Sequence, residues 1–456
     1  MNLGPQEIAA ALGAEIVAEG EPGSPRRALI DSTGAGPGDL FFGLRGSRHD
    51  GGKFAPQATA AGAWGAVVSP EWRSSLVADG ETKDERRAWV FVVDDPLAAL
   101  QVLARAWRRS LGARVVGVTG SVGKTSVKDI ARALLPGRVH ANKENLNTEI
   151  GLPLTILEAP DDTEVLVLEM AMRGKGQIAE LAAIAEPEVA VITNVGPVHV
   201  ELLGSVEAIA AAKAEILDGL PPGGTAVAPV EAGELEPHLA RVPRLLRFGP
   251  GGDVEATEVT VAEGVTEAIV STPVGSQRFH FPFAEAHNLT NALAAIAVGV
   301  AIGTELAGMA DRAAGIGFSR FRGERLQLPG GIVLVNDCYN ANPVSMRAAL
   351  DHLASLKATR TVAVLGEMGE LGPDSAGYHR EVGEHARAHG IDFVVGVGLP
   401  ARDYDPDELV ADPGEAAEFL AQQLEPGDAV LIKGSRSAGL ETVAAQLAEL
   451  VPAEDG

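Results

Sequence analysis

At 456 residues the chain has room for roughly three domains of about 150 residues each. A formal charge of −25 argues against nucleic acid or an anionic membrane as partner, so an anionic substrate must be met by local cations and helix N-termini. The single cysteine, Cys338, excludes an intramolecular disulfide, and no apolar run approaches the ~18 residues of a membrane span.

In chain order, the start MNLGPQEIAAALGAE lacks the basic opening and long apolar core of a signal peptide, which predicts a cytoplasmic protein. Residues 1–94 mix strands at 27–30, 39–44, 66–69 and 89–93 with helices, and the polar stretch 74–87 reads as a surface loop. A small α/β domain is expected there. A helix over 96–110 leads into a central domain, 95–318, whose strands at 115–119, 165–169 and 189–193 alternate with helices in the pattern of a parallel sheet. Between 224 and 283 apolar and polar residues alternate with glycine punctuation, which predicts a small antiparallel sheet attached to that domain. Helical signal returns at 287–302. From 319 to 456, strands at 332–335, 361–365, 393–397 and 429–432 are separated by helices at 343–356, 376–388, 413–423 and 440–448, a Rossmann-like order without a G-x-G-x-x-G fingerprint. The expected class is α/β in three domains: a small N-terminal one, a central P-loop ATPase-like parallel sheet, and a C-terminal Rossmann-like one.

The stretch ARVVGVTGSVGKTSV organises the rest. An apolar strand ends in a glycine-rich turn over Thr119, Gly120, Ser121, Val122 and Gly123, and Lys124 opens a helix whose positive end faces the same space. This geometry binds phosphate: Lys124 reaches the β- and γ-phosphates of a nucleotide, and the hydroxyl of Thr125, or second to it Ser126, ligates Mg²⁺. The spacing T-G-x-x-G-K-T is tighter than the usual P-loop, and an ordinary glycine-rich turn is the competing account.

Ligands gather at the carboxyl ends of parallel strands, which singles out Glu169, Asn194 and His199 beside the P-loop. A carboxylate there suits Mg²⁺. A histidine suits a second metal or a phosphate, or is simply a satisfied polar group. In SVEAIAAAKAEIL, Lys213 falls on the apolar face, as a snorkelling or paired cation or as a functional group. In FAEAHNLTNALAAIAVG, Asn288 and Asn291 stand three apart at a helix start, suited to a purine edge or, for one of them, to N-capping.

The strings GVTGSVGKTS, NKENLNTEIGLPLTIL, EMAMRGKGQIAEL, ITNVGPVHVELLGS, AAAKAEI, AHNLTNALAA, NDCYNANPVSM, VLGEMGELG and LIKGSRSAGLE together resemble the Mur ligase family of bacterial cell-wall synthesis over essentially the whole chain. The resemblance is most specific at residues 337–345. It implies ATP-driven amide formation, in which the carboxylate of UDP-MurNAc-tripeptide takes the γ-phosphoryl group and the acyl phosphate is captured by D-Ala-D-Ala. It places Thr125, Glu169 and His199 at the sites of two Mg²⁺ ions, with Lys213 carried as a carbamate, and Asn288, Asn291, Arg325 and Asp337 around the adenosine part of ATP. Lys433, Ser435 and Arg436 then face the phosphates or the dipeptide, and Ser32 and Arg48 hold the UDP-sugar. A monomer without nucleic-acid or membrane partners is implied.

Two departures stand out. Thr33 replaces the arginine of the family's D-S-R, shifting that contact to Arg45 or Arg48, and Ala171 replaces the glycine of E-M-G-A. The rivals are the family's ligase of the preceding step, adding a diamino acid to the dipeptide precursor, and a P-loop ATPase switch with no ligase activity.

Overall fold

The computed structural model describes residues 1–76, 88–198, 200–262 and 264–450. The first sheet has five strands, with Trp89–Val92, Gly65–Val68, Asp39–Phe42 and Arg27–Leu29 parallel and Glu15–Ala18 antiparallel at its edge. Of the expected loop at 74–87, the start is helical (Arg73–Leu76) and 77–87 lie outside the described residues.

The helix Pro96–Leu111 begins where Asp95 accepts hydrogen bonds from the Leu97 and Ala98 amides (2.9 and 3.2 Å) and proline takes the first turn; it ends at Gly112, whose φ of 63° closes the C-terminus. Its Leu100, Leu103 and Trp107 lie in one apolar core with Leu40, Phe42 and Phe91 of the first sheet and Leu152, Ile156 and Leu166 of the central unit. The first two units are therefore welded through this helix. Each such fully buried side chain contributes about 1.5–3 kcal/mol of transfer free energy.

The central sheet is six parallel strands in the order Arg244–Phe248, Thr225–Pro229, Val189–Ile192, Arg114–Thr119, Val165–Glu169, Val139–Ala141. Its middle strands read as unbroken apolar runs because both faces are covered: Val115, Leu166 and Ile192 point into one core, and Val116, Val118 and Val191 into the other, under the helices Lys124–Leu134 and Ala286–Ala301. The expectation for 224–283 needs correcting. Only Glu255–Ala262, Val265–Thr272 and Gly275–Phe281 form the antiparallel sheet, while Thr225–Pro229, wholly buried, and Arg244–Phe248 extend the parallel one. Burial on both faces, not alternation, marks Thr225–Pro229.

The C-terminal sheet has the order Glu324–Leu328, Ile332–Asn336, Ala429–Lys433, Thr361–Leu365, Phe393–Val397, Glu408–Val410, parallel except at its first edge. Both edge strands, and Val139–Ala141 and Glu15–Ala18 in the other sheets, are absent from the sequence expectation; they run three to five residues, too short to show a period. The two faces of this sheet have cores of their own. Among the described residues, no helix is long and apolar enough to cross a membrane.

Candidate active site

The carboxyl ends of the central strands open into a cavity of about 1520 Å³ whose opposite wall belongs to the C-terminal unit. The phosphate-loop candidate forms its floor. Gly120 approaches so closely that an added Cβ would lie 1.9 Å from Thr193 Oγ1, and Gly123, at φ 83°, caps the helix and leaves 2.4 Å between such a Cβ and Asn291 Oδ1. Side chains behind the loop hold its curve: the Ser121 hydroxyl donates to the Gly196 carbonyl (3.0 Å) and accepts from its amide (2.9 Å), and the Val122 amide donates to Asn194 Oδ1 (3.3 Å). Thr119 is buried beneath, its hydroxyl on the Met170 carbonyl at 3.0 Å. Thr119 and Gly120 thus support the loop from behind, while Ser121, Val122, Gly123, Lys124, Thr125 and Ser126 line the cavity.

Lys124 curls over the loop, donating to the Gly120 carbonyl at 2.8 Å, and is half-buried. Desolvation lowers its pKa, with Arg322 adding to the shift and Glu169 opposing it. The Thr125 hydroxyl donates to Glu169 Oε2 at 2.8 Å, and Asn147 Nδ2 donates to Oε1 at 2.8 Å. Asn142 fixes the end of that strand by accepting from the Glu169 amide at 2.6 Å. Both asparagines lie in the NKENLN stretch, where sequence reasoning assigned no role. A threonine hydroxyl and a carboxylate side by side form an oxygen donor set that fits Mg²⁺.

Lys213 sits on the helix Val206–Asp218, which Ser205 caps through the Ala208 amide at 3.2 Å. It is only 2% exposed, and does not line the cavity. It forms no hydrogen bond or ion pair with another described residue. Burial, and then the charge of Lys124, push its pKa well below that of an ordinary lysine. His199 lies outside the described residues.

At the start of the helix Ala286–Ala301, Asn288 and Asn291 both face the cavity, linked by a 3.3 Å hydrogen bond from Asn291 Nδ2 to Asn288 Oδ1. Neither caps the helix, because the N-cap position is Glu285. Glu285 in turn accepts from Asn288 Nδ2 (3.3 Å) and lies 3.3 Å from His352 of the C-terminal unit.

Across the cavity Asp337 and Lys433 are joined: Lys433 Nζ donates to Asp337 Oδ2 at 2.5 Å and to the carbonyls of Asn340 and Asp337 at 3.2 and 3.3 Å. Residues expected to serve separate ends of the nucleotide therefore form one ion pair. Ser435 Oγ accepts from the Gly369 amide at 2.7 Å, and Arg436 lies 5.9 Å from the Phe321 ring centroid. Arg325 is exposed on the edge strand and is not on the cavity wall; Arg322 is, stacked 4.0 Å over the Tyr339 ring. Buried Cys338 beside them has its thiol pKa pushed up to about 12, chiefly by desolvation. On the central side, Asp129 pairs with buried Lys128 and accepts from the Ser319 amide and hydroxyl at 2.9 and 2.7 Å, tying the loop helix to the entry of the C-terminal unit.

The N-terminal candidates stand away from this cavity. Ser32 Oγ donates to Gln57 Oε1 at 3.2 Å, and Thr33 donates to Asp31 from both its amide and hydroxyl (2.9 and 2.8 Å). Arg45 is held by Glu71 at 2.9 Å, which leaves exposed Arg48 as the arginine of that turn without an ion-pair partner among the described residues.

Three family models match the chain: the Mur ligase family catalytic domain at 28–108, the Mur ligase middle domain at 118–299, and the Mur ligase glutamate ligase domain at 321–436. The chain is 39% identical over 429 residues to UDP-N-acetylmuramoyl-tripeptide–D-alanyl-D-alanine ligase of Synechocystis sp., covering 90% of this chain and 89% of that one. It is 35% identical to the Escherichia coli ligase of the same name, with 91% of each covered. Among solved structures, MurF from Acinetobacter baumannii superposes with a TM-score of 0.87 at 30% identity, over 98% of this chain and 99% of that one. MurF ligase from Thermotoga maritima in complex with ADP gives 0.81 at 30%, over 93% and 98%. The chain therefore belongs to the Mur ligase family and, within it, to the UDP-N-acetylmuramoyl-tripeptide–D-alanyl-D-alanine ligases.

Proposed function

We propose that this chain is an ATP-dependent, ADP-forming ligase that joins D-alanyl-D-alanine to UDP-MurNAc-tripeptide, giving the pentapeptide precursor of peptidoglycan. One observation carries this reading: the phosphate loop and the segment 337–345 with Lys433, Ser435 and Arg436 face each other across a single cavity. A nucleotide switch has no need of that second wall. A carboxylate does not acylate an amine at neutral pH. Its oxygen therefore attacks the γ-phosphorus, ADP leaves, the amine adds to the acyl carbon, and phosphate departs with the oxygen that bridged carbon and phosphorus.

Within the cavity the loop amides and Lys124 meet the phosphates, and Asn288 and Asn291 offer amide groups to the purine side. Lys433, Ser435 and Arg436 orient the acyl phosphate and dipeptide. Thr125 and Glu169 would hold Mg²⁺, and the family resemblance assigns His199 to a second ion. When bound, these ions neutralise charge on the transferring phosphoryl group. Asn147 and Asn142 keep Glu169 in register. Lys213 carries a carbamate in this reading: a buried side chain with no counter-charge among the described residues favours the neutral amine, the form that adds CO₂.

The proposed division is 1–94 for the UDP-sugar, through Ser32 and Arg48, 95–318 for ATP, and 319–456 for the acceptor, in a cytoplasmic monomer. Because the first two units share a core, closure falls to the C-terminal unit. Phosphate release with each cosubstrate omitted in turn tests the function. Rapid release is expected only with ATP, UDP-MurNAc-tripeptide and D-Ala-D-Ala together. Equal turnover with ATP alone would sink the ligase reading, and stimulation by a diamino acid with the dipeptide precursor would favour the preceding step.

A further inference from the structure

Away from the cavity, the C-terminal helices Pro343–Ser355 and Ser375–Ala388 pack side by side, and Asp351 of the first meets His385 of the second and His389 at its end. One ligand atom from each lies within 4.8 Å of the other two. The i, i+4 spacing puts both imidazoles on one helical face, a spacing suited to two ligands on one ion. Asp351 Oδ1 stands 2.6 Å from His385 Nε2 and 3.7 Å from His389 Nε2, and the two rings stack with centroids 3.9 Å apart.

The tautomer of His389 supplies the chemical argument. Its Nδ1 lies 2.9 Å from the His385 backbone carbonyl, which can only accept, so Nδ1 carries the proton. In the neutral ring Nε2 is then a lone pair, and it faces a carboxylate oxygen that also has only lone pairs to offer. That lone pair, 3.7 Å from Asp351 Oδ1, is open to a cation. The same Nδ1–H···O=C contact is the outer support that metal-binding histidines ordinarily have.

We propose that Asp351, His385 and His389 form a surface site for a divalent transition ion of the Zn²⁺ class, completed by water. Two imidazole nitrogens and one carboxylate oxygen suit Zn²⁺, Co²⁺, Ni²⁺ or Cu²⁺ and disfavour Mg²⁺ and Ca²⁺, which take oxygen ligands. Bonds of about 2.0–2.1 Å in a tetrahedron place ligand atoms roughly 3.4 Å apart, which each side chain here reaches by moving less than about 1 Å. Asp351 and His389 are half-exposed, which leaves the fourth position open to solvent. An ion here staples together two helices, the first of which also starts on the cavity wall at Asn342 and presents His352 to Glu285.

The test is Co²⁺ titration of the full-length chain, made without a polyhistidine tag, in millimolar Mg²⁺, followed by visible absorption and calorimetry. One equivalent should bind with the strong absorption of a tetrahedral site. His389→Ala and Asp351→Asn should each weaken it at least tenfold, by about the loss a support residue alone gives, with the circular dichroism spectrum unchanged. Glu169→Gln should leave this affinity as it is. Should His389→Ala perturb folding, His389→Gln replaces it. Failure of Co²⁺ to bind in excess Mg²⁺, or binding indifferent to His389 and Asp351 but lost with Glu169→Gln, would overturn the proposal.

Discussion

Replacing Lys433 by methionine should separate stability from chemistry in this cavity. Lys433 is 3% exposed and Asp337 23%, so the pair is largely withdrawn from water, and its ammonium also serves two backbone carbonyls. Removing one partner of a buried pair costs about 3–5 kcal/mol, and the solvent reaching Asp337 reduces this to about 2–4 kcal/mol. For a unit of this size that lowers the melting transition by roughly 5–15 °C. Asp337→Asn combined with Lys433→Met removes both charges and should return at least half of the loss, because neither partner is left buried and unpaired. Activity should not return with it, since both side chains line the cavity. Calorimetry on the four proteins of the cycle, with phosphate release measured on each, gives both answers. A single variant that melts within about 1 °C of the parent, or a double variant with restored turnover, would refute this account.

Lys124→Ala should cut phosphate release by at least about 100-fold, the scale of losing one preorganised charge partner, while shifting the melting transition little, because its hydrogen bonds go to loop carbonyls. Lys213→Arg should abolish activity and Lys213→Glu retain a trace if a carbamate is needed; the reverse ranking would mean Lys213 acts as a cation. Cys338, at about 12, is thiolate in only about one molecule in ten thousand at pH 8, so iodoacetamide should label it only after unfolding. Because its folded pKa is raised, the stability it contributes is complete below about pH 9 and is lost as pH rises toward 12. Cys338→Ala should flatten that alkaline slope in denaturant titrations.

What the sequence made legible was local. A strand, two glycines and a lysine opening a helix are contiguous, so the shape of the loop at 119–126 follows from turn chemistry alone, and the apolar stripe around Lys213 announced its burial. Pairs brought together by tertiary folding were not legible. Asn147 meets Glu169 across 22 residues, Lys433 meets Asp337 across 96, and Ser319 meets Asp129 across 190. No spacing rule spans such separations. Arg325 is exposed on the edge strand and off the cavity wall, while Arg322, before the strand, turns in over Tyr339. The welded core between the first two units was equally hidden, since the helix Pro96–Leu111 shows an apolar face without saying how many sheets it serves.

The acyl phosphate is the center of the account, and oxygen transfer tests it most directly. With ¹⁸O in the terminal carboxylate of UDP-MurNAc-tripeptide and unlabelled ATP and water, mass spectrometry of the released phosphate should find one carboxylate oxygen transferred for each amide bond formed. Phosphate free of the label, with amide still made, would contradict it.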